Sequence, residues 1–289
     1  MCFGVRDAIA LAVKTAERET LTILGDLVHN ETVLDELRAN GIRLEQNSAK
    51  ITTRTVMITA HGASNRSMNE TRRRELNVLE ATCPLVHGAH RSLGRVVAEG
   101  LHPVIIGKRD HVEVRGMTED LTEFDVVLGE EDVAKIQERP RFGVIAQTTQ
   151  PIEKARLLVQ LIRERFPQSE VRFIDTVCQP TKQRQSAAVE LAKKCDVVVV
   201  IGGAHSNNTH ELVKTCSQSC LRVYHVQTAS GLRGEWFRDD DTVGLTAGTS
   251  TPDSVIIEAE SWLQALAASA AMQPYQTKET MHELAFHIS

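Results

Sequence analysis

Chemistry in this chain of 289 residues can be built around Cys2, Cys83 and Cys178. Cys83 lies in Glu80-Ala81-Thr82-Cys83-Pro84, after the apolar approach of Leu76, Val78 and Leu79. Cys178 lies in Asp175-Thr176-Val177-Cys178-Gln179-Pro180, after Phe173 and Ile174. Cys2 stands just ahead of Val5-Arg6-Asp7-Ala8-Ile9-Ala10-Leu11. Each thiol is thus expected at the start of a helix, where the positive end of the dipole favours the thiolate, the form that binds metal or attacks. A lone intracellular cysteine is most often a small buried hydrophobe. Three in one register ask for a common role.

The polar residues keep phase with the thiols. His29 follows Cys2 by 27 residues, His111 follows Cys83 by 28, and Ser206 follows Cys178 by 28, each after an apolar strand, a glycine and a short loop. A second strand in each third ends in another polar loop, carrying His61, then Thr148 and Thr149, then Ser250. Three thiolates from three units suit an iron–sulfur cluster in which one iron is not held by the protein and stays open to a substrate oxygen. Zinc on three thiolates is the competing metal. His29, His61, His111, Thr148, Thr149, Ser206, Asn207, Asn208 and Ser250, with backbone N–H groups at helix starts, offer the neutral donors that fit a phosphate or diphosphate. There is no Walker loop and no G-x-G-x-x-G, so no nucleotide is implied. Glu113, two residues after His111, is a natural proton donor beside a metal; its ordinary reading is a surface acid near Arg115.

These residues must be positioned by a repeated frame. A helix is expected over 3–18, a strand over 21–24, a helix over 31–40, a strand over 55–59 and a polar helix over 65–76. The second third reads as a helix to about Glu99, a strand over 104–106, a strand over 126–128, a short helix over 132–137, a strand over 142–146, a helix over 151–166 and a strand over 171–174. The last third reads as a helix over 181–194, the strongest strand over 197–201, a helix over 208–217, strands over 221–225 and 242–245, and a long helix over 252–271. An internal repeat outranks any single motif. The expected fold is α/β, a pseudo-threefold trefoil of three α/β units around a common cavity that gathers the three thiols, with an iron–sulfur cluster or zinc as the metal, and with the polar loops at the carboxyl ends of parallel strands, where ligands bind. The units are 1–82, which reads as truncated at its N-terminus, 83–177 and 178–272, followed by a tail over 273–289.

Composition narrows the partners. A net charge of −5 and a pI near 6.1 argue against nucleic acid. No apolar stretch is long enough to span a membrane, and the first helix carries Arg6, Asp7 and Lys14, unlike a signal peptide. Six cysteines without tight spacing do not form a secreted disulfide framework, so a reducing cytoplasm is expected. Cys195, Cys216 and Cys220 read as structural thiols. His205 and His210 read as loop residues, and His87, His90, His102, His225, His282 and His287 have no phase with the repeat.

Cys2-Phe3-Gly4-Val5-Arg6-Asp7-Ala8, Val28-His29-Asn30, Ala60-His61-Gly62, Ala81-Thr82-Cys83-Pro84, His111-Val112-Glu113-Val114-Arg115-Gly116, Gln147-Thr148-Thr149, Ser206-Asn207-Asn208-Thr209 and Ala247-Gly248-Thr249-Ser250-Thr251-Pro252-Asp253 together resemble the 4-hydroxy-3-methylbut-2-enyl diphosphate reductase family, also called IspH/LytB. The resemblance runs in order to about residue 268. It implies one [4Fe–4S] cluster on Cys2, Cys83 and Cys178 with an open apical iron for the substrate hydroxyl. It implies an allylic diphosphate held by His29, His61, His111, Thr148, Ser206, Asn207, Asn208 and Ser250, and proton delivery by Glu113 with Thr149 and Thr181 nearby. Ferredoxin or flavodoxin would supply two single electrons, giving isopentenyl and dimethylallyl diphosphates, the last step of the methylerythritol phosphate route. Three positions differ from the family pattern: Met1 directly precedes Cys2, Asn207 stands where serine is common, and Val112 where proline is common. Two other classes fit the same thiols: a zinc-dependent hydrolase, and a non-catalytic diphosphate-binding or redox-sensing module.

Overall fold

The computed structural model describes residues 1–272; the tail expected over 273–289, with His282 and His287, lies outside the described residues. The first third contains α1 (Phe3–Ala16), β1 (Leu21–Leu24), α2 (Glu31–Ala39), β2 (Arg43–Glu45), β3 (Thr55–Ile58), α3 (Asn65–Arg73) and β4 (Asn77–Glu80). The second contains α4 (Pro84–Ala98), β5 (His102–Ile106), α5 (Val112–Thr118), β6 (Asp125–Val127), α6 (Glu130–Val133), β7 (Arg141–Ala146), α7 (Ile152–Arg165) and β8 (Glu170–Phe173). The third contains α8 (Gln179–Ala192), β9 (Val197–Ile201), α9 (Asn207–Ser217), β10 (Arg222–Val226), β11 (Val243–Ala247) and α10 (Asp253–Met272).

The strands form three separate sheets, ordered β2-β1-β3-β4, β6-β5-β7-β8 and β10-β9-β11. Every pairing is parallel. The first strand of each third lies second in its sheet, beside the third strand, so Ile23 pairs with Met57, Ile105 with Ile145 and Val199 with Leu245. A parallel sheet covered on both faces needs apolar side chains on both. Accordingly β9 is Val-Val-Val-Val-Ile and wholly buried. Val198 and Val200 join the core under α8 and α9, whereas Val199 and Ile201 join the core under α10. In the second sheet Val104 and Ile106 pack toward α7, and Ile105 toward α4. Each such buried Val or Ile contributes roughly 1.5–3 kcal/mol.

The expected strong elements are present, with ends shifted by a few residues. The sequence reading left out β2, β4 and α5. Three-residue β2 lies at a sheet edge, and seven-residue α5 holds a central Gly116 and two β-branched valines, which weaken its helical signal.

Candidate active site

Each of the three cysteines is a helix N-cap: Cys2 of α1, Cys83 of α4 and Cys178 of α8. Each backbone N–H donates to the loop after the third strand of a sheet. Cys83 reaches Ala60 O at 3.1 Å, Cys178 reaches Thr148 O at 2.9 Å, and Cys2 reaches Thr249 O at 2.9 Å. The cysteine that opens one third of the chain is therefore anchored on the sheet of another third, and Cys2 is held like the other two. A β-carbon on Gly4 would lie 2.6 Å from Cys83 Sγ, so the α1 backbone closes directly on that thiol. Cys2 lies near enough to Cys83 and Cys178 to push both their thiols up, as does Glu113, although burial is the larger cause.

Counting 28 residues from each cysteine reaches Asn30, His111 and Ser206, the N-caps of α2, α5 and α9. Each side chain accepts a backbone N–H of its own helix: Asn30 from Val33 at 3.4 Å, His111 from Glu113 at 3.1 Å, Ser206 from Thr209 at 3.2 Å. Asn30 is thus the true counterpart of His111 and Ser206, and His29 stands one residue ahead. His29 is brought inward by a close inter-unit contact: a β-carbon on Gly203 would lie 2.1 Å from His29 O, so only glycine fits that joint.

His29, His61 and His111 meet, with ring centroids 4.6, 5.0 and 5.6 Å apart. Burial lowers the pKa of all three, that of His111 to about 3, with His29, Lys108 and Arg115 adding to the effect. Burial thus favours the neutral ring in all three. Because Nδ1 of His111 accepts the Glu113 N–H, its ring proton sits on Nε2. That nitrogen donates; it has no lone pair for a metal. Around the trio, His29 Nε2, His61 Nδ1, Asn207 Nδ2, both amide atoms of Asn208, and Ser250 Oγ are buried without a partner. His29, His61, His111, Thr149, Ser206, Asn207, Asn208 and Ser250 line one small pocket of about 40 Å³. It shares His29, His111 and Asn207 with an open cleft of about 1130 Å³. Buried donors without partners are costly, and an anion bound here could satisfy them.

Glu113 is 1% exposed, not a surface acid. Thr148 donates to it twice, from N at 2.7 Å and from Oγ1 at 3.0 Å. Burial nevertheless pushes its carboxyl up to about 7, a value poised for proton transfer near neutral pH. The Thr148 hydroxyl is thus committed to Glu113, and Thr181 is buried with its hydroxyl 3.0 Å from Cys178 Sγ. Neither lines the small pocket. Thr249, which does line it and also anchors Cys2, was missed in the sequence; its register with Ala60 and Thr148 is the signal that finds it.

The three thiols are free and can hold a cofactor. One zinc ion would draw three thiolate sulfurs to within about 3.8 Å of one another, given Zn–S bonds of about 2.3 Å. Among the described residues, only the histidine trio has three ligand atoms all within 4.8 Å.

A family model described as LytB protein matches residues 1–264. The chain belongs to the LytB family. LytB relatives named 4-hydroxy-3-methylbut-2-enyl diphosphate reductase include one from Geobacter sulfurreducens, 36% identical over 89% of this chain and 91% of its own length. Another, from Dictyoglomus thermophilum, is 34% identical over 92% and 93%. The solved E-1-hydroxy-2-methyl-but-2-enyl-4-diphosphate reductase from Plasmodium falciparum superposes with a TM-score of 0.84 at 25% identity, covering 92% of this chain and 84% of that one. A second solved structure, the terminal enzyme of the non-mevalonate pathway, gives 0.66 at 32% identity, covering 92% and 96%. The chain is a member of an enzyme family, and its three-unit α/β trefoil is that family's fold. No described helix is long and apolar enough to cross a membrane.

Proposed function

We propose that this chain reduces (E)-4-hydroxy-3-methylbut-2-enyl diphosphate to isopentenyl and dimethylallyl diphosphates, with one [4Fe–4S] cluster on Cys2, Cys83 and Cys178. The balance is one C–O bond broken, one C–H bond formed, two electrons and two protons consumed, and water released. The reading is carried by the convergence of unpartnered buried polar groups from the first and third units on one small pocket, where His111 and Thr149 of the second unit and Val5 of the first thiol-bearing helix join them. The names of the relatives agree with it. When bound, such a cluster supplies electrons one at a time and a Lewis-acidic iron.

The chain's own residues do the rest. His29, His61, His111, Ser206, Asn207, Asn208 and Ser250 hold the diphosphate end. Asn207 keeps a free amide donor, so its replacement of serine preserves an anion contact. Glu113 holds a proton on its carboxyl, and Thr148 fixes that carboxyl in place. The donor of electrons is ferredoxin or flavodoxin, and the compartment is the cytoplasm, in keeping with six free thiols. The working units are 1–82, 83–177 and 178–272. The test is anaerobic purification with iron and sulfide analysis, followed by turnover with reduced methyl viologen and product identification. Four iron and four sulfide per chain with both products are expected. Zinc in place of iron, or an iron-loaded protein without turnover, refutes the reading.

A further inference from the structure

The three thiol-bearing helices repeat closely enough for one exception to stand out. Three residues after each cysteine, at the third position of the helix, stand Val5, Val86 and Thr181. Valine and threonine have one shape, so the fold has no steric need for the change. Thr181 is wholly buried, and its hydroxyl lies 3.0 Å from Cys178 Sγ. Helical threonines normally turn the hydroxyl back on a carbonyl one turn earlier. Thr15, Thr71 and Thr118 of this chain do so, onto Leu11, Ser67 and Val114. Thr181 does not.

We infer that Thr181 is a positioning residue that donates its hydroxyl to the Cys178 sulfur and raises the reduction potential of the cluster held there. The inference rests on the iron–sulfur reading above. A ligating thiolate has no proton, so the hydroxyl must be the donor. Hydrogen bonds to the sulfurs are one of the means by which a protein sets a cluster's potential. Reduction adds negative charge to the cluster and its sulfurs. A donor fixed at one sulfur therefore binds the reduced form more tightly, as charge-assisted bonds do. Val5 and Val86 offer Cys2 and Cys83 no such donor, so the chain tunes one of three otherwise equivalent ligands.

The experiment is a spectroelectrochemical titration of the anaerobic, cluster-loaded protein without substrate. Thr181→Val should lower the equilibrium constant for one-electron reduction about tenfold, a fall of about 59 mV. Thr181→Ser, which keeps the hydroxyl, should recover most of it. Val86→Thr, which gives Cys83 the same donor, should shift the potential upward, and this variant decides the matter if Thr181→Val fails to fold. An unchanged potential in Thr181→Val, or equal shifts in the Val and Ser variants, overturns the proposal. So does loss of affinity for inorganic diphosphate in Thr181→Val at constant potential, which would mark a substrate contact. Wild-type protein that holds no iron–sulfur cluster overturns the functional reading and this inference together.

Discussion

Burial pushes the Glu113 carboxyl up to about 7, so it can exchange a proton near neutral pH, and it stays placed because Thr148 grips both carboxylate oxygens. Glu113→Gln keeps the shape and loses the proton. Its kcat should fall by about 10²-fold or more, with substrate still perturbing the cluster's absorption. In the wild type, kcat should fall as pH rises past about 7. The same group bears on stability. Its folded pKa of about 7 lies above the unfolded 4.5, so its contribution is fully present below pH 4.5 and is lost as pH rises to 7. Urea titrations of Glu113→Gln should therefore lose less stability over that interval than the wild type, by about 3 kcal/mol. The histidines act in the opposite sense. Their lowered pKa values favour the neutral ring, and an incoming diphosphate raises them again. Calorimetry in buffers of different ionisation enthalpy should show proton uptake, and affinity for inorganic diphosphate should rise as pH falls from 8 to 6. Proton release instead would mean that the trio does not face the anion.

At the level of elements, α5 answers the question raised by Val112. His111 sits at φ −69° and ψ 138°, which is the conformation that a following proline imposes. The first helical position needs no N–H, so Val112→Pro should fit without strain. It should raise stability by about 0.4–1 kcal/mol through the unfolded chain, read as a higher urea midpoint with kcat unchanged within twofold. Gly4 is the contrary case. Gly4→Ala would drive a methyl group into Cys83 Sγ, and the expected result is a folded protein by circular dichroism that loses most of its iron. Full iron content in Gly4→Ala would show that α1 yields rather than the thiol. Repeat-based reading found the helices that carry the thiols because their apolar faces are long. It did not find α5, whose cap is a histidine and whose body is about two glycine-interrupted turns, although that helix places both His111 and Glu113.

For the whole molecule, the threefold plan was legible because three cysteines and three apolar strands recur at one spacing, and a parallel sheet buried on both faces writes itself as an unbroken run such as Val197–Ile201. What the spacing hid was contact between distant loops. The grip of Thr148 on Glu113 within one unit and the joint between Gly203 and His29 across two units depend on which surfaces meet, and periodicity along the chain says nothing of that. Acid should expose the same dependence. The trio's contribution is present above about pH 6.5 and fades toward the His111 value of about 3. Inorganic diphosphate should therefore shift the acid-unfolding midpoint downward.

The anchoring of each cysteine on another third of the chain also sets an order of events. Cys83 waits only for Ala60 and Cys178 only for Thr148, partners that leave the ribosome shortly before them. Cys2 waits for Thr249, nearly the whole chain later. Contacts between distant parts of a sequence form last. The first of these three thiols to be synthesised is thus the last to be seated, and a nascent chain holds at most two of the three in position until β11 has docked. In pulse-labelling of a refolding chain, Cys2 should remain open to alkylation after Cys83 and Cys178 have closed.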